Sequence, residues 1–455
     1  MANTRKWKKS DVISHVARQL SAHLKPRSKL VLGLSGGLDS VALLEVLHWL
    51  KADLDFDLSA LHINHQVSPH SNEWAQFCRE LCAAREIPLE MSKIEVPRKG
   101  NLEAAARALR YQAFNRQNVD FVVLAQHLDD QAETVLLRLL RGAGVQGLSG
   151  MPIVRETVGG RREAGGRSPQ ILRPLLDIPR REILGYAQER NLNWVEDESN
   201  LDTRFDRNFL RCEILPAIDK RFPAYRRTIA RAADNLANAA ELSDELARID
   251  ANNCIADGAI MVAELKHLAP ARVNNLLRFF LRERGLLMPD RKRLNEARQQ
   301  LLHSRQDAQA RIVFDDFELR RYRARIHLVK SAPSEDWQIG WRGEDQIVLP
   351  QLGGTVRFRR ATGAGISMAR LDNVTVRNRR GGERIRPDCK RPSRSLKNLL
   401  QEHEIPPWER QLLPLLFNGE ALVWVPGIGI TCNYQAHADE MGLVPEWLNG
   451  NVRWF

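Results

Sequence analysis

An apolar run from Leu30 to Leu34 empties into Ser35-Gly36-Gly37-Leu38-Asp39-Ser40, and a helical pattern (Val41, Leu43, Leu44, Leu47, Leu50) starts at once. The order predicts a strand, a tight loop of small residues and a helix N-terminus. Such a loop binds phosphate: glycine lets the backbone approach closely and turn its N–H groups inward, and the helix dipole adds positive charge. No lysine follows the glycines, and the spacing is not Gly-x-Gly-x-x-Gly, so a Walker loop and a dinucleotide fingerprint both fit poorly.

Ser-Gly-Gly-x-Asp-Ser resembles the pyrophosphate loop (PP-loop) of the N-type ATP pyrophosphatases, which cleave ATP to AMP and pyrophosphate. That resemblance implies that Ser35, Gly36, Gly37, Leu38, Asp39 and Ser40 bind ATP, with Asp39 close to Mg²⁺. Ser, Gly and Asp are also ordinary turn and cap residues, so the surroundings have to decide.

Hydrophobic periodicity predicts a helix over 10–24, strands over 29–34, 58–65, 89–96 and 121–125, and helices over 72–87, 101–118 and 129–141. Alternating strands and helices predict an α/β fold with a doubly wound, mostly parallel sheet. Ligands gather at the carboxyl ends of such strands. Three polar clusters fall there: Ser35–Ser40, His62-Ile63-Asn64-His65 and Gln126–Asp130.

In His127-Leu128-Asp129-Asp130-Gln131-Ala132-Glu133, Asp130 and Glu133 share one helix face. Two carboxylates there suit Mg²⁺ or a cationic amine that must be deprotonated; acids also favour a first helical turn for its dipole alone. Arg107 and Arg110 lie three apart on an alanine-rich helix. The polar segments 194–200 and 206–211 read as a loop over a ligand, with Arg207 free to meet a phosphate.

A chain of 455 residues needs more than one core. Pro216 suggests a boundary, giving a catalytic domain over 1–216, a mainly helical domain over 217–330 and a C-terminal α/β domain over 345–455. An Arg/Gly-rich stretch over 155–170 reads as a flexible insertion, and Ser331-Ala332-Pro333-Ser334 as a linker. The net charge of +12 favours a polyanionic partner, RNA above all. Arg377, Arg379, Arg380, Arg384, Arg386, Lys390, Arg391 and Arg394 face only Glu383 and Asp388, a candidate phosphate-backbone surface on loops. Trp408, Trp424, Trp447 and Trp454 read as core. No apolar run approaches the ~20 residues of a membrane span. Six cysteines without a Cys-x-x-Cys pair suggest a reduced, cytoplasmic protein lacking a structural metal.

Taken together, these motifs resemble the tRNA(Ile)-lysidine synthetase family, a bacterial branch of the PP-loop superfamily. Besides the PP-loop, the resemblance rests on His62–His65, Ala106–Tyr111, His127–Thr134, Leu139–Gly142, Arg173-Pro174-Leu175-Leu176, Glu196–Asn200, Arg207-Asn208 and Arg379–Ile385. Gln126 departs from it, since many members carry a second histidine there. The resemblance implies ATP and Mg²⁺, free L-lysine and an isoleucine tRNA with a CAU anticodon. The C2 oxygen of the wobble cytidine would be adenylated, and lysine would then displace AMP. Asp130 and Glu133 would handle Mg²⁺ or the lysine ammonium, and Arg107 and Arg207 would stabilise the adenylate. A homodimer is open. A tRNA thiolase would want paired cysteines, and a glutamine-fed amidotransferase a nucleophilic cysteine in a glutaminase domain. A purely RNA-binding protein would leave the three strand-end clusters unexplained.

Overall fold

The computed structural model describes residues 12–449 except 67, 95–101, 157–167, 287, 304–309, 315–316 and 331–335. The Arg/Gly-rich insertion, the Ser331–Ser334 linker, Asn101 and Trp454 therefore lie largely or wholly outside the described residues.

The chain divides into two compact units, residues up to Ile249 with Phe279–Leu287, and Asp250–Arg278 with residues from Met288 onward. In the first unit, α1 (Val12–His23), β1 (Ser28–Gly33), α2 (Leu38–Leu54), β2 (Phe56–Asn64), α3 (Ser71–Ala83), β3 (Leu89–Lys93), α4 (Leu102–Asn115), β4 (Phe121–Val123) and α5 (Leu128–Leu140) alternate as expected. A short α6 (Val145–Leu148) precedes β5 (Val154–Glu156), β6 (Gln170–Leu172) and α7 (Arg180–Glu189). The strand order is β3-β2-β1-β4-β6-β5. Among the described residues only the β5–β6 pair of this sheet is antiparallel.

Strands β1 and β4 are apolar on both faces because helices cover both. Leu30 and Leu32 pack with Leu43, Leu44, Leu47 and Leu50 on one side, and Val31 with Phe114 and Val122 on the other. The chain moves from β1 outward to β2 and β3, then returns to place β4 on the opposite side of β1. That reversal opens a crevice beyond the carboxyl ends of β1 and β4, where the PP-loop and Gln126–Asp130 both emerge.

Residues 198–214 differ from the expected loop. They form a 3₁₀ turn (Glu198–Leu201), α8 (Asp206–Phe209) and a π-helical turn (Leu210–Ile214), leading into α9 (Leu215–Arg221) and α10 (Tyr225–Cys254). The residues are polar because they pair with α5 side chains, as shown below. The helical stretch after 217 is also interrupted: Ile255–Ala256 and Ala259–Met261 form a hairpin through Asp257 and Gly258, both at positive φ.

That hairpin edges the second unit's five-stranded sheet, completed by Arg311–Phe314, Phe317–Tyr322 and Arg325–Lys330. Further on, the C-terminal region holds a five-stranded and a four-stranded antiparallel sheet around Val356, Ile366, Val376, Leu416 and Val423. Trp408 and Trp424 are core residues as expected. The expectation of reduced thiols fails for one pair: Cys389 and Cys432 form a disulfide. The fold brings them together by running the Cys432 amide into a 2.7 Å hydrogen bond with the Arg386 carbonyl.

Burial pushes Glu409 up to about 7, only partly offset by a hydrogen bond to Trp408. Its folded-state pKa exceeds the ordinary 4.5, so stability falls as pH rises between those values. Glu409→Gln is expected to be more stable than wild type by about 1–2 kcal/mol near pH 8 and indistinguishable near pH 4. Urea titrations at the two pH values measure this, and equal midpoints near pH 8 would refute it.

Candidate active site

Gly37 starts α2 with no side-chain cap, which leaves the first amides of this seventeen-residue helix free for a ligand. Gly36 has φ +87°. The hydroxyls close the loop: Ser35 Oγ lies 3.0 Å from Ser40 Oγ and accepts from the Gly37 amide at 3.3 Å, while Ser40 Oγ donates to the Gly37 carbonyl at 2.9 Å. The Val195 amide donates to the Gly36 carbonyl at 3.0 Å, so residues 194–198 form a second wall.

A Cβ on Gly36 would sit 3.0 Å from Val195 Cγ2 and 3.2 Å from Cys78 Sγ, in a left-handed backbone. Gly36→Ala is expected to cost about 2 kcal/mol of stability and to weaken ATP binding. Denaturant midpoints and ATP titration check this; unchanged values in both would refute it.

Facing the loop, α5 begins at His127. Its amide donates to Asp130 Oδ2 at 3.1 Å. Its Nε2 lies 3.4 Å from Asp130 Oδ2 and 3.6 Å from Asp39 Oδ2. Burial would lower its pKa, but Asp130 and Asp39 more than offset this and raise it. Arg173, itself buried, fixes the strand end by donating to Gln126 Oε1 and, at 2.9 Å, to the Pro152 carbonyl.

Glu133 is 1% exposed and holds two arginines. Arg207 donates to Glu133 Oε2 at 2.8 Å and Asp130 Oδ1 at 2.9 Å. Arg211 donates to Glu133 Oε1 at 2.7 Å and Oε2 at 2.9 Å, and reaches Asp130 Oδ1 at 3.3 Å. Burial raises the Glu133 pKa, yet Arg211 and then Arg207 bring it below its ordinary value. Asp129 turns elsewhere: it pairs with Arg226 and accepts from the Arg180 amide at 2.9 Å.

A hollow of about 580 Å³ lies between these elements, lined by Ser35, Gly37, Leu38, Asp39, Ser40, Arg107, Arg110, Asp130, Arg180, Trp194–Glu198 and Arg211 among others. Its volume suits a nucleotide-sized ligand. Arg107 stands over the Tyr111 ring at 5.1 Å. A second hollow of about 560 Å³ shares Gly33, Ser35, Arg110, Phe114 and Leu124 and extends to His62, Asn64, His65 and Trp74. Burial first, then Arg110, pushes His65 down to about 4. Its neutral ring lies 3.3 Å from Arg110.

The structure thus gathers Ser35, Gly37, Leu38, Asp39, Ser40, Arg107 and Asp130 around one hollow. Arg207 stands behind Asp130 and Glu133, while Arg211, which the sequence reading did not single out, lines the wall. The i, i+4 spacing of Arg207 and Arg211 was the available signal. Among the described residues no cluster of three metal-ligating side chains occurs. Asp39 Oδ1, however, is buried without a hydrogen-bond partner, which suits a hard cation taking its other ligands from phosphate and water.

In the second unit the basic run is largely self-paired. Arg377 is buried against the Phe417 ring and pairs with Glu420. Arg379 pairs with Glu383, Arg380 with Asp336, Arg391 with Asp388 and Arg394 with Glu402. Arg384 and Arg386 donate to backbone carbonyls. Lys390 makes no ion pair among the described residues.

Comparison with known proteins matches residues 10–218 to a PP-loop domain, 261–327 to a TilS substrate-binding domain and 374–447 to a TilS substrate C-terminal domain. A tRNA(Ile)-lysidine synthase from Nitrosomonas europaea is 44% identical over 453 residues, covering 98% of both chains. The chain belongs to the tRNA(Ile)-lysidine synthase family. Two more synthases of this family, from Azoarcus sp. and Coxiella burnetii, are 40% and 35% identical, over 94% and 92% of this chain and 93% of each of theirs. The family places an ATP-using PP-loop in the first unit, where Ser35, Gly37, Leu38, Asp39 and Ser40 line the hollow.

Proposed function

We propose that this chain is a tRNA(Ile)-lysidine synthetase, an ATP-consuming ligase that joins free lysine to the wobble cytidine of isoleucine tRNA bearing a CAU anticodon. The observation that carries this reading is the PP-loop facing Asp130 and Arg211 across one hollow, in a chain related to such synthases over almost its whole length. The cytidine C2 oxygen attacks the α-phosphorus of ATP and pyrophosphate leaves. The lysine ε-amine, once deprotonated, then attacks C2, and the C2–O bond breaks to release AMP. Reading would change from AUG to AUA, and tRNA identity from methionine to isoleucine.

Ser35–Ser40 offer amides and hydroxyls to the departing pyrophosphate. The two hollows share Gly33, Ser35 and Arg110, so a nucleotide bound at the loop would lie against Ser35 with its phosphates toward Asp39. Mg²⁺, held by Asp39 and the phosphates, would neutralise leaving-group charge. Arg107 and Arg211 line the hollow and would stabilise negative charge on the α-phosphate, with Arg207 holding Asp130. Glu133, clamped by two guanidiniums, serves to position them. Asp130 lines the hollow and Glu133 does not, so Asp130 is the carboxylate placed to take the lysine proton. Of the C-terminal basic run, exposed Lys390, which has no ion pair among the described residues, and Arg391, whose pair with Asp388 lies at the surface, are the cations open to a tRNA backbone.

The test is incubation of the protein with ATP, Mg²⁺, radiolabelled lysine and an unmodified CAU isoleucine-tRNA transcript. One lysine entering RNA per AMP formed is the expected result. A folded, ATP-binding protein that incorporates none would overturn the reading.

A further inference from the structure

The loop that holds the phosphates carries no lysine, and the cations around it are mostly engaged. Arg211 is bound to Glu133 and Asp130, Arg110 lies against His65, and Arg107 donates to the Tyr111 hydroxyl at 3.2 Å. Arg180 differs. It is the first residue of α7, its amide anchored by Asp129, so its Cα is fixed beside the crevice. Its side chain is 53% exposed, lines the same hollow as Ser35, Gly37 and Ser40, and among the described residues its one ion-pair partner is Asp39 Oδ2, at 3.8 Å, beyond hydrogen-bond distance. A guanidinium with open donors beside a phosphate loop has the geometry to bind phosphate through two parallel hydrogen bonds.

We propose that Arg180 binds the β- and γ-phosphates of ATP and the pyrophosphate they become, replacing the lysine that the loop lacks. This rests on the ATP-pyrophosphatase reading of the site. The bond broken is the one between the α-phosphorus and the bridging oxygen; the electron pair stays with pyrophosphate, whose added charge Arg180 meets. In the free protein Asp39 keeps the guanidinium aimed at the loop. No local motif marks Arg180: it lies some 140 residues beyond the loop and follows Pro179 at an ordinary helix start.

The test compares wild type, Arg180→Ala and Arg180→Lys, titrated separately with magnesium pyrophosphate and with AMP. AMP keeps the α-phosphate but has no β- or γ-phosphate. Arg180→Ala is expected to weaken pyrophosphate binding at least about tenfold while AMP affinity stays within about twofold, and Arg180→Lys to recover part of the loss. Unchanged pyrophosphate affinity in Arg180→Ala would overturn the proposal. So would parallel loss of AMP and pyrophosphate binding in both variants, which marks a structural role. A wild type that binds pyrophosphate through Arg180 but forms no lysidine would leave this assignment standing and remove the tRNA reaction.

Discussion

The Arg207→Ala protein is expected to form lysidine at least about a hundredfold more slowly than wild type. Arg207 joins Glu133 and Asp130 through separate nitrogens of one planar group. Its loss frees Asp130 Oδ1 from its shorter contact and leaves Arg211 alone to hold both carboxylates. Lysine at this position has a single ammonium and cannot reproduce the two-pronged contact, so Arg207→Lys is expected to rescue little. Single-turnover incorporation of labelled lysine at saturating ATP measures the effect. A rate within about threefold of wild type, under about 0.7 kcal/mol of barrier, would remove Arg207 from the machinery.

Replacing Glu133 has the largest expected effect on folding. Glu133→Ala leaves two guanidiniums facing a buried space, and removing one member of a buried ion pair costs about 3–5 kcal/mol. The lower end applies, because Arg207 and Arg211 are 29% and 35% exposed and water screens what remains. Glu133→Gln keeps the volume and isolates the charge. Because the folded-state pKa of Glu133 lies below its ordinary 4.5, its stabilisation is present above that pH and is lost as pH falls through the folded value. The stability gap between wild type and Glu133→Gln is therefore expected to be full at neutral pH and to close on acidification below the ordinary 4.5. Urea midpoints across that range measure it, and a gap independent of pH would show that the charge is not what holds the two arginines.

Much of the nucleotide-binding half was legible in the chain because its signals are local. A β-type apolar run, glycines and a helical period dictate strand, loop and helix within twenty-five residues, and Gly36 at positive φ is what such a turn requires. Apolar strands alternating with helices then make the sheet mostly parallel, with the polar clusters at the carboxyl ends of its strands. Element ends shifted by a few residues: the strand expected to reach Ala125 stops at Val123, where the backbone turns out to present Gln126 and His127.

Side-chain partners were not legible. The arginine run at 377–394 has the composition of a phosphate-binding surface, yet Arg377 packs on Phe417 and Arg394 on Glu402, partners set by strand pairing and helix placement. The polar segment at 206–211 looked like a ligand loop, but its arginines bind carboxylates more than seventy residues earlier. Cys389 and Cys432 are 43 residues apart, and the Cys432 amide hydrogen-bonds to the Arg386 carbonyl beside their disulfide, a pairing no local pattern announces.

By itself, the sequence determined the phosphate loop, the alternating α/β order and the strand ends on which the chemistry must sit, since each follows from backbone preferences over short stretches. Tertiary structure alone decided which charges stay open to a ligand. Arg180 and Arg211 reach the hollow, Arg207 and Glu133 lock together behind it, and most of the C-terminal arginines pair with their own chain. A charge is committed or free according to what long-range packing places within about 4 Å of it, and no local pattern records that.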